Sequence, residues 1–164
     1  MTTIARSGPA AANAEGRRIG LLGGSFNPAH EGHLHISRQA LRRLKLDVVW
    51  WVVSPQNPLK PTAGMAPFEE RFASAARVAA AEPRIVVSDI ERTLGTRFSI
   101  DTVESLKATH PDTRFVWVMG ADNLLQAPRW TNDRSLRPLP TCTTPLRFPL
   151  RCNLDQYATC TASF

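Results

Sequence analysis

Ile19-Gly20-Leu21-Leu22-Gly23-Gly24-Ser25-Phe26-Asn27-Pro28-Ala29-His30-Glu31-Gly32-His33 is the stretch on which the fold turns. Its first residues form a short apolar run closed by a glycine pair, which reads as a buried strand ending in a turn. From Gly32 to Leu44 the apolar residues Leu34, Ile36, Ala40, Leu41 and Leu44 fall on one helical face, with Arg38, Arg42 and Arg43 turned elsewhere. A strand, a glycine turn and a helix in that order open a parallel α/β sheet.

The alternation continues outward. Val48 to Val53, with its two tryptophans, reads as a strand buried on both faces, and Pro55, Pro58 and Pro61 then enforce a loop. A second helix is predicted from Pro67 to Ala81, opened by the proline and by Glu69 and Glu70, and stopped by Pro83. Ile85-Val86-Val87 makes a third strand, followed by a polar stretch from Ser88 to Arg97. Ser99 or Asp101 caps a third helix running to about Thr109, with Ile100, Val103 and Leu106 as its inner face. Phe115 to Met119 is a fourth strand, ended by Gly120.

Right-handed crossovers between these strands build an α/β fold, a Rossmann-like doubly wound parallel sheet with helices on both faces. The loops beginning at Gly23, Ser54, Ser88 and Gly120 then leave the carboxyl ends of strands and share one rim, where open α/β sheets bind ligands.

Composition narrows the partners. With 164 residues, an apolar fraction of 43% and a charged fraction of 21%, the chain has room for one domain with one core. A formal charge of +6 suits anionic partners, but the arginines are scattered and form no dense block, which argues against nucleic acid. No segment has the apolar length of a membrane span, and the first 17 residues, lacking a continuous apolar stretch, read as a flexible tail. The three cysteines, Cys142, Cys152 and Cys160, are widely spaced and odd in number, which fits neither a disulfide framework nor a zinc site and makes a reducing cytoplasm the expected compartment.

The chemistry concentrates in the first loop. Two glycines after a strand let backbone approach a bound group closely. The following helix aims its free N–H groups and positive dipole end at the rim, a seat for phosphate. His30 and His33, just before and within the first helical turn, could donate to phosphoryl oxygens as charge develops. Taken alone, a Gly-Gly pair is often only a turn, and two histidines three apart could be surface residues or half of a metal site. For zinc, however, no third and fourth ligands are evident, and the H-E-x-x-H spacing is absent.

Gly-Gly-Ser-Phe-Asn-Pro followed by His-x-Gly-His resembles the signature of the H-x-G-H nucleotidyltransferases, in the version seen in nicotinate-nucleotide adenylyltransferases. Asn27 stands where that family more often has aspartate. Three further stretches are similar to family motifs at the same rim: Ser54 to Pro61, Thr96 to Thr102, and Gly120 to Leu125. The resemblance implies transfer of the adenylyl group of ATP to nicotinate mononucleotide, with Mg2+ accompanying the ATP and no protein-held metal. It implies that His30, His33 and Lys60 neutralise phosphate charge, and that Gly23, Gly24, Ser25, Phe26, His33, Gly120 and Asp122 hold ATP. It further implies that Ser99, Thr102 and Trp130 contact the mononucleotide, Trp130 by stacking. Trp50, Trp51 and Trp117 lie inside apolar strands and are assigned to packing. Another H-x-G-H adenylyltransferase, acting on phosphopantetheine, and a non-catalytic nucleotide-binding fragment are the alternatives. Oligomeric state is not legible.

The resemblance covers residues 18–130. From Thr131 onward no periodicity continues, the stretch holds all three cysteines, and the expected fifth strand and arginine-bearing phosphate motif are not found. The expectation is an irregular tail over 131–164 and a sheet lacking its last strand; the tail reads as translated out of the ancestral frame, with a lineage-specific tail as the alternative. Strand four would then be a bare edge. Sequencing the encoding DNA around Trp130 tests the frame reading.

Overall fold

The computed structural model describes residues 14–55, 63–96, 99–120 and 159–163. Strands β1 (Arg18–Gly24), β2 (Val48–Val53), β3 (Ile85–Ser88) and β4 (Arg114–Gly120) alternate with helices α1 (Glu31–Arg43), α2 (Phe68–Ala79), α3 (Ile90–Leu94) and α4 (Ser99–Thr109), and β5 (Thr159–Ser163) follows. The sheet order is β3-β2-β1-β4-β5. The first four strands are all parallel, with Leu21 opposite Trp50 on one side and Trp117 on the other.

Strand alternation sorts the core into two layers. Leu22, Val49, Trp51, Val53, Val87 and Val118 face α1 and α2, packing against Leu34, Leu41, Phe72 and Ala75. Ile19, Leu21, Trp50, Val52, Phe115 and Trp117 face the other way, against Val103 and Leu106 of α4. The chain winds outward from β1 through β2 to β3, then crosses back to β4 on the opposite face. The switch point therefore falls between β1 and β4, and the loop after β1 opens into its crevice.

Three details depart from the sequence reading. The polar stretch after β3 holds α3, a single turn too short to show periodicity, closed by Gly95 at φ +66°. Residues 14–17, expected to belong to a flexible tail, are anchored: Ala14 is fully buried and its carbonyl accepts from the Thr113 hydroxyl at 2.6 Å. The third concerns the β4 edge, which is not bare. β5 pairs with it antiparallel, Val118 opposite Thr161 and Gly120 opposite Thr159. The four-stranded Rossmann-like core stands as expected, but five residues of the stretch read as irregular cover its edge. Their only apolar members, Cys160 and Ala162, are too small to announce a buried face.

Candidate functional site

The loop between β1 and α1 is built from the core outward. Phe26 sits in the left-handed region at φ +48°, and its ring turns into the core with 1% of its surface exposed. It stacks on Trp51 at 5.1 Å between centroids and meets the His33 ring at 4.8 Å. Trp51 donates from Nε1 to the Ser37 hydroxyl at 2.7 Å, and that hydroxyl donates to the His33 carbonyl at 2.8 Å. The tryptophan assigned to packing does pack, but what it supports is the floor beneath His33. With its ring in the core, Phe26 can offer a ligand only its main chain.

His30 is the N-cap of α1, and its Nδ1 accepts from the Gly32 N–H at 3.1 Å. The His30 N–H in turn donates to Nδ1 of His33 at 3.2 Å, closing a reciprocal box in which two imidazoles replace the usual hydroxyl and carboxylate. The ring centroids lie 4.0 Å apart. A nitrogen that accepts from an N–H carries no proton, so in each neutral ring the proton resides on Nε2. Both side chains are thereby fixed as Nε2–H donors at the positive end of α1.

The glycine pair divides its work. A Cβ on Gly23 would lie 2.7 Å from the Trp117 ring, so glycine is required there by packing within the protein. At Gly24 the added Cβ would make only ordinary contact, 3.6 Å from the Phe26 ring, and nothing internal demands its absence. Gly23→Ala is expected to destabilise the fold by about 1–3 kcal/mol through overpacking, since Trp117 is buried and held between strand and helix. Chemical denaturation checks this, and a loss below about 0.5 kcal/mol would show that the indole yields.

Asn27 turns away from the phosphate seat. Its amide donates to the Gly64 carbonyl and accepts from the Ala66 N–H, both at 3.1 Å. An aspartate would keep the second bond and lose the first, so asparagine here matches its partners.

Beneath the rim lie residues that the sequence reading did not single out. Arg71 on α2 is 2% exposed and donates to four main-chain carbonyls: Ala66 at 2.9 Å, Ser25 at 2.6 Å, Ser54 at 2.9 Å and Pro55 at 2.9 Å. One guanidinium fork thus joins the loops after β1 and β2 to the start of its own helix. The Ser54 N–H adds a bond to the Gly24 carbonyl at 2.9 Å. Burial lowers the Arg71 pKa from its ordinary value, but an arginine remains charged at working pH. On α3, Glu91 is 4% exposed, with the Ser54 side chain beside it.

Burial pushes the Glu91 carboxyl from its ordinary 4.5 up to about 7, with the Ser54 hydrogen bond opposing the shift. The native state therefore binds this proton more tightly than the unfolded chain does. Stability contributed by the protonated form is present below about pH 4.5 and is lost as pH rises through about 7. The whole difference is about 3 kcal/mol. Glu91→Gln is expected to be more stable than the parent at pH 8 and to lose that advantage near pH 5, as measured by denaturation midpoints at both values. Equal midpoints at pH 8 would show that the carboxylate is solvated.

The expected site residues distribute unevenly. Gly23, Gly24, Ser25, Phe26, His30, His33 and the end of β4 at Gly120 stand at one end of the sheet. Ser99 opens α4 and is exposed. Thr102 is fully buried, and its hydroxyl lies 2.7 Å from that of Thr96 at the turn before α4. Lys60, Asp122 and Trp130 lie outside the described residues. Among the described residues no group of three or more His, Cys, Asp or Glu side chains could hold a metal ion, and no helix is long and apolar enough to cross a membrane.

A doubly wound sheet with an anion-facing helix start at its switch point defines a Rossmann-like nucleotide-handling class, and residues 21–143 match the cytidylyltransferase-like family. A protein of Parvibaculum lavamentivorans named a probable nicotinate-nucleotide adenylyltransferase is 56% identical over 146 residues, covering 88% of this chain and 72% of the relative. One of Gluconobacter oxydans with the same name is 60% identical over 119 residues, covering 73% and 60%. In structure, the nicotinic acid mononucleotide adenylyltransferase of Plasmodium falciparum complexed with NaAD superposes with a TM-score of 0.57 at 19% identity, over 67% of this chain and 55% of that one. At that identity the likeness bears on the fold. The chain belongs to the cytidylyltransferase-like family, among the nicotinate-nucleotide adenylyltransferases. It spans 72% of the first of these relatives and 60% of the second.

Proposed function

We propose that the protein transfers the adenylyl group of ATP to nicotinate mononucleotide, giving the deamido dinucleotide and pyrophosphate for NAD biosynthesis. The observation that carries this is the paired imidazole cap, which occupies both Nδ1 atoms and so makes each neutral ring an Nε2–H donor at the start of α1. The names of the close relatives and the NaAD complex of the Plasmodium enzyme support the same reading.

A phosphate oxygen of the mononucleotide attacks the α-phosphorus of ATP, the bond to the bridging oxygen breaks, and pyrophosphate leaves with the electron pair. The attacking oxygen is already ionised near neutral pH, so no general base is required. Catalysis is positioning and neutralisation of charge. His33 and His30 donate to the phosphate oxygens. The main chain at Gly24 to Phe26 lines the approach, Gly24 leaving room where a side chain would intrude. Lys60 adds a point charge, Asp122 and Gly120 complete the ATP seat, and Ser99 and Trp130 meet the mononucleotide. Mg2+ would be bound through the phosphates of ATP and water, since it keeps several waters and seldom occupies an all-protein cage. The cytoplasm, where ATP is abundant and cysteines stay reduced, is the compartment this reading assigns.

Purified chain incubated with ATP, Mg2+ and nicotinate mononucleotide should yield dinucleotide and pyrophosphate in equal amounts, read by chromatography and a coupled phosphate assay. Absence of both products from a folded sample that binds neither substrate would overturn the assignment.

A further inference from the structure

Ser37 and Trp51 are both fully buried, and each carries a polar group that packing alone does not require. Ser37 lies on the inner stripe of α1 with Leu34, Ala40 and Leu41, where alanine would leave no hydroxyl to satisfy. Trp51 stands on β2 in the same apolar layer, and a buried indole needs an acceptor for its N–H. Each meets the other's need: Nε1 donates to the Ser37 hydroxyl at 2.7 Å, and that hydroxyl donates to the His33 carbonyl at 2.8 Å. The indole also touches both parts of the phosphate seat. Its ring stacks on Phe26 at 5.1 Å with 19° between planes, and lies 5.8 Å from the His33 ring at a tilt of 56°. Phe26 in turn lies 4.8 Å from His33. One side chain thus meets the loop residue whose main chain passes through the left-handed region and the imidazole in the first turn of α1.

We propose that Trp51 is a positioning residue for the reaction: through its ring contacts with Phe26 and His33, and through Ser37, it fixes the plane of the His33 imidazole against the main chain of the loop after β1. The proposal rests on the adenylyltransferase reading for the reaction it serves. The bond from the His30 N–H to Nδ1 fixes one atom of the His33 ring but not its plane. Flat neighbours fix a plane, because aromatic pairs hold preferred tilts. A donor to developing charge has to sit within about 0.5 Å and about 10–20° of its working position, and a displacement of about 1 Å can lower a rate about 100-fold. A loosened donor weakens the transition state more than the bound substrates, so the loss falls on kcat. Trp50, the preceding residue, supplies the contrast: it is also buried but faces the other layer, where its ring meets Phe115 at 6.2 Å.

The test measures kcat and KM for ATP and nicotinate mononucleotide, per folded molecule, in Trp51→Leu, Trp51→Phe and Trp50→Leu, with Trp51→Leu also placed in a His33→Ala background. Trp51→Leu should lower kcat about 10- to 100-fold and move either KM by less than about threefold. Trp51→Phe keeps a flat ring against Phe26 and should return to within about fivefold of the parent. Trp50→Leu should lose stability yet keep kcat within about threefold. In the His33→Ala background Trp51→Leu should lower kcat by less than about threefold more, because the group it positions is gone. Losses that multiply in that background would overturn the proposal, as would a Trp50→Leu loss as large as that of Trp51→Leu or a phenylalanine variant as slow as the leucine one. If Trp51→Leu does not fold, Ser37→Ala takes its place in the same cycle, with an expected loss of about three- to tenfold in the parent and none beyond that of His33→Ala. A parent chain that makes no dinucleotide refutes the functional reading instead. This proposal is then decided without substrate by the three-bond couplings that report the His33 χ1 rotamer: one rotamer in the parent and in Trp51→Phe, an average over several in Trp51→Leu or Ser37→Ala. A single unchanged rotamer in every variant overturns it.

Discussion

Arg71→Met is expected to destabilise the protein by about 3–5 kcal/mol, enough to remove a large part of a typical domain's stability. The argument starts from what methionine leaves behind. Four main-chain carbonyls, of Ala66, Ser25, Ser54 and Pro55, now end on one guanidinium. Carbonyls of the backbone cannot be substituted away, so removing the cation orphans them. Each buried acceptor left without a partner costs about 1–3 kcal/mol, partly recovered where water can enter. Against this stands the relief of no longer burying a charge. Methionine fills the volume of the aliphatic stem and keeps its packing on Phe68, so little of the loss comes from a cavity. The orphaned carbonyls win because the guanidinium's own desolvation is already offset by hydrogen bonds to them. Arg71→Lys should fall between, since an ammonium cannot present a planar fork to three separate segments. Denaturation midpoints measure both variants. A methionine variant within about 1 kcal/mol of the parent would mean that water already solvates these carbonyls.

Why the sequence showed the frame of the site but not this clamp follows from where each signal lives. The apolar runs Ile19 to Leu22 and Val48 to Val53, and the stripe of α1, are local patterns, and the sheet order needs only handedness added to them. His30 and His33 were legible because capping operates within one turn. Arg71, by contrast, bonds residues up to 46 positions away. In the sequence it reads as a third solvated charge after Glu69 and Glu70. One sign was available: Arg71 lies three residues after Phe68 and four before Ala75, on the apolar stripe of α2, where a solvated arginine does not belong. Thr102 carried the same sign, four residues before Leu106 on the inner face of α4, which argued for burial against the hydroxyl-rich look of its segment. Gly23 was expected to be glycine for a ligand's sake. Its reason is the Trp117 ring on a neighbouring strand, and no local pattern reports that.

His33→Ala should lower turnover about 100- to 1,000-fold while changing ATP affinity only a few-fold, the signature of a donor that matters most when charge develops. A hundredfold loss is about 2.7 kcal/mol of transition-state stabilisation. The ring also has a structural part, accepting from the His30 N–H and packing on Phe26 and Trp51. That part has to be separated from the chemistry. His30 is exposed, so water can take over its N–H, and the structural loss is expected to stay near the typical value for one net hydrogen bond, about 1 kcal/mol. The two contributions therefore differ enough to be told apart by measuring stability and turnover on the same sample. His33→Asn sharpens the comparison. Its amide oxygen can accept from the His30 N–H while its NH2 supplies a shorter donor, so it should regain the lost stability and only part of the rate. The rate loss is assigned to Nε2–H because Nδ1 of His33 already accepts from the His30 N–H. Turnover within threefold of the parent in a folded His33→Ala protein would remove His33 from the reaction and leave the imidazole pair as a helix cap alone.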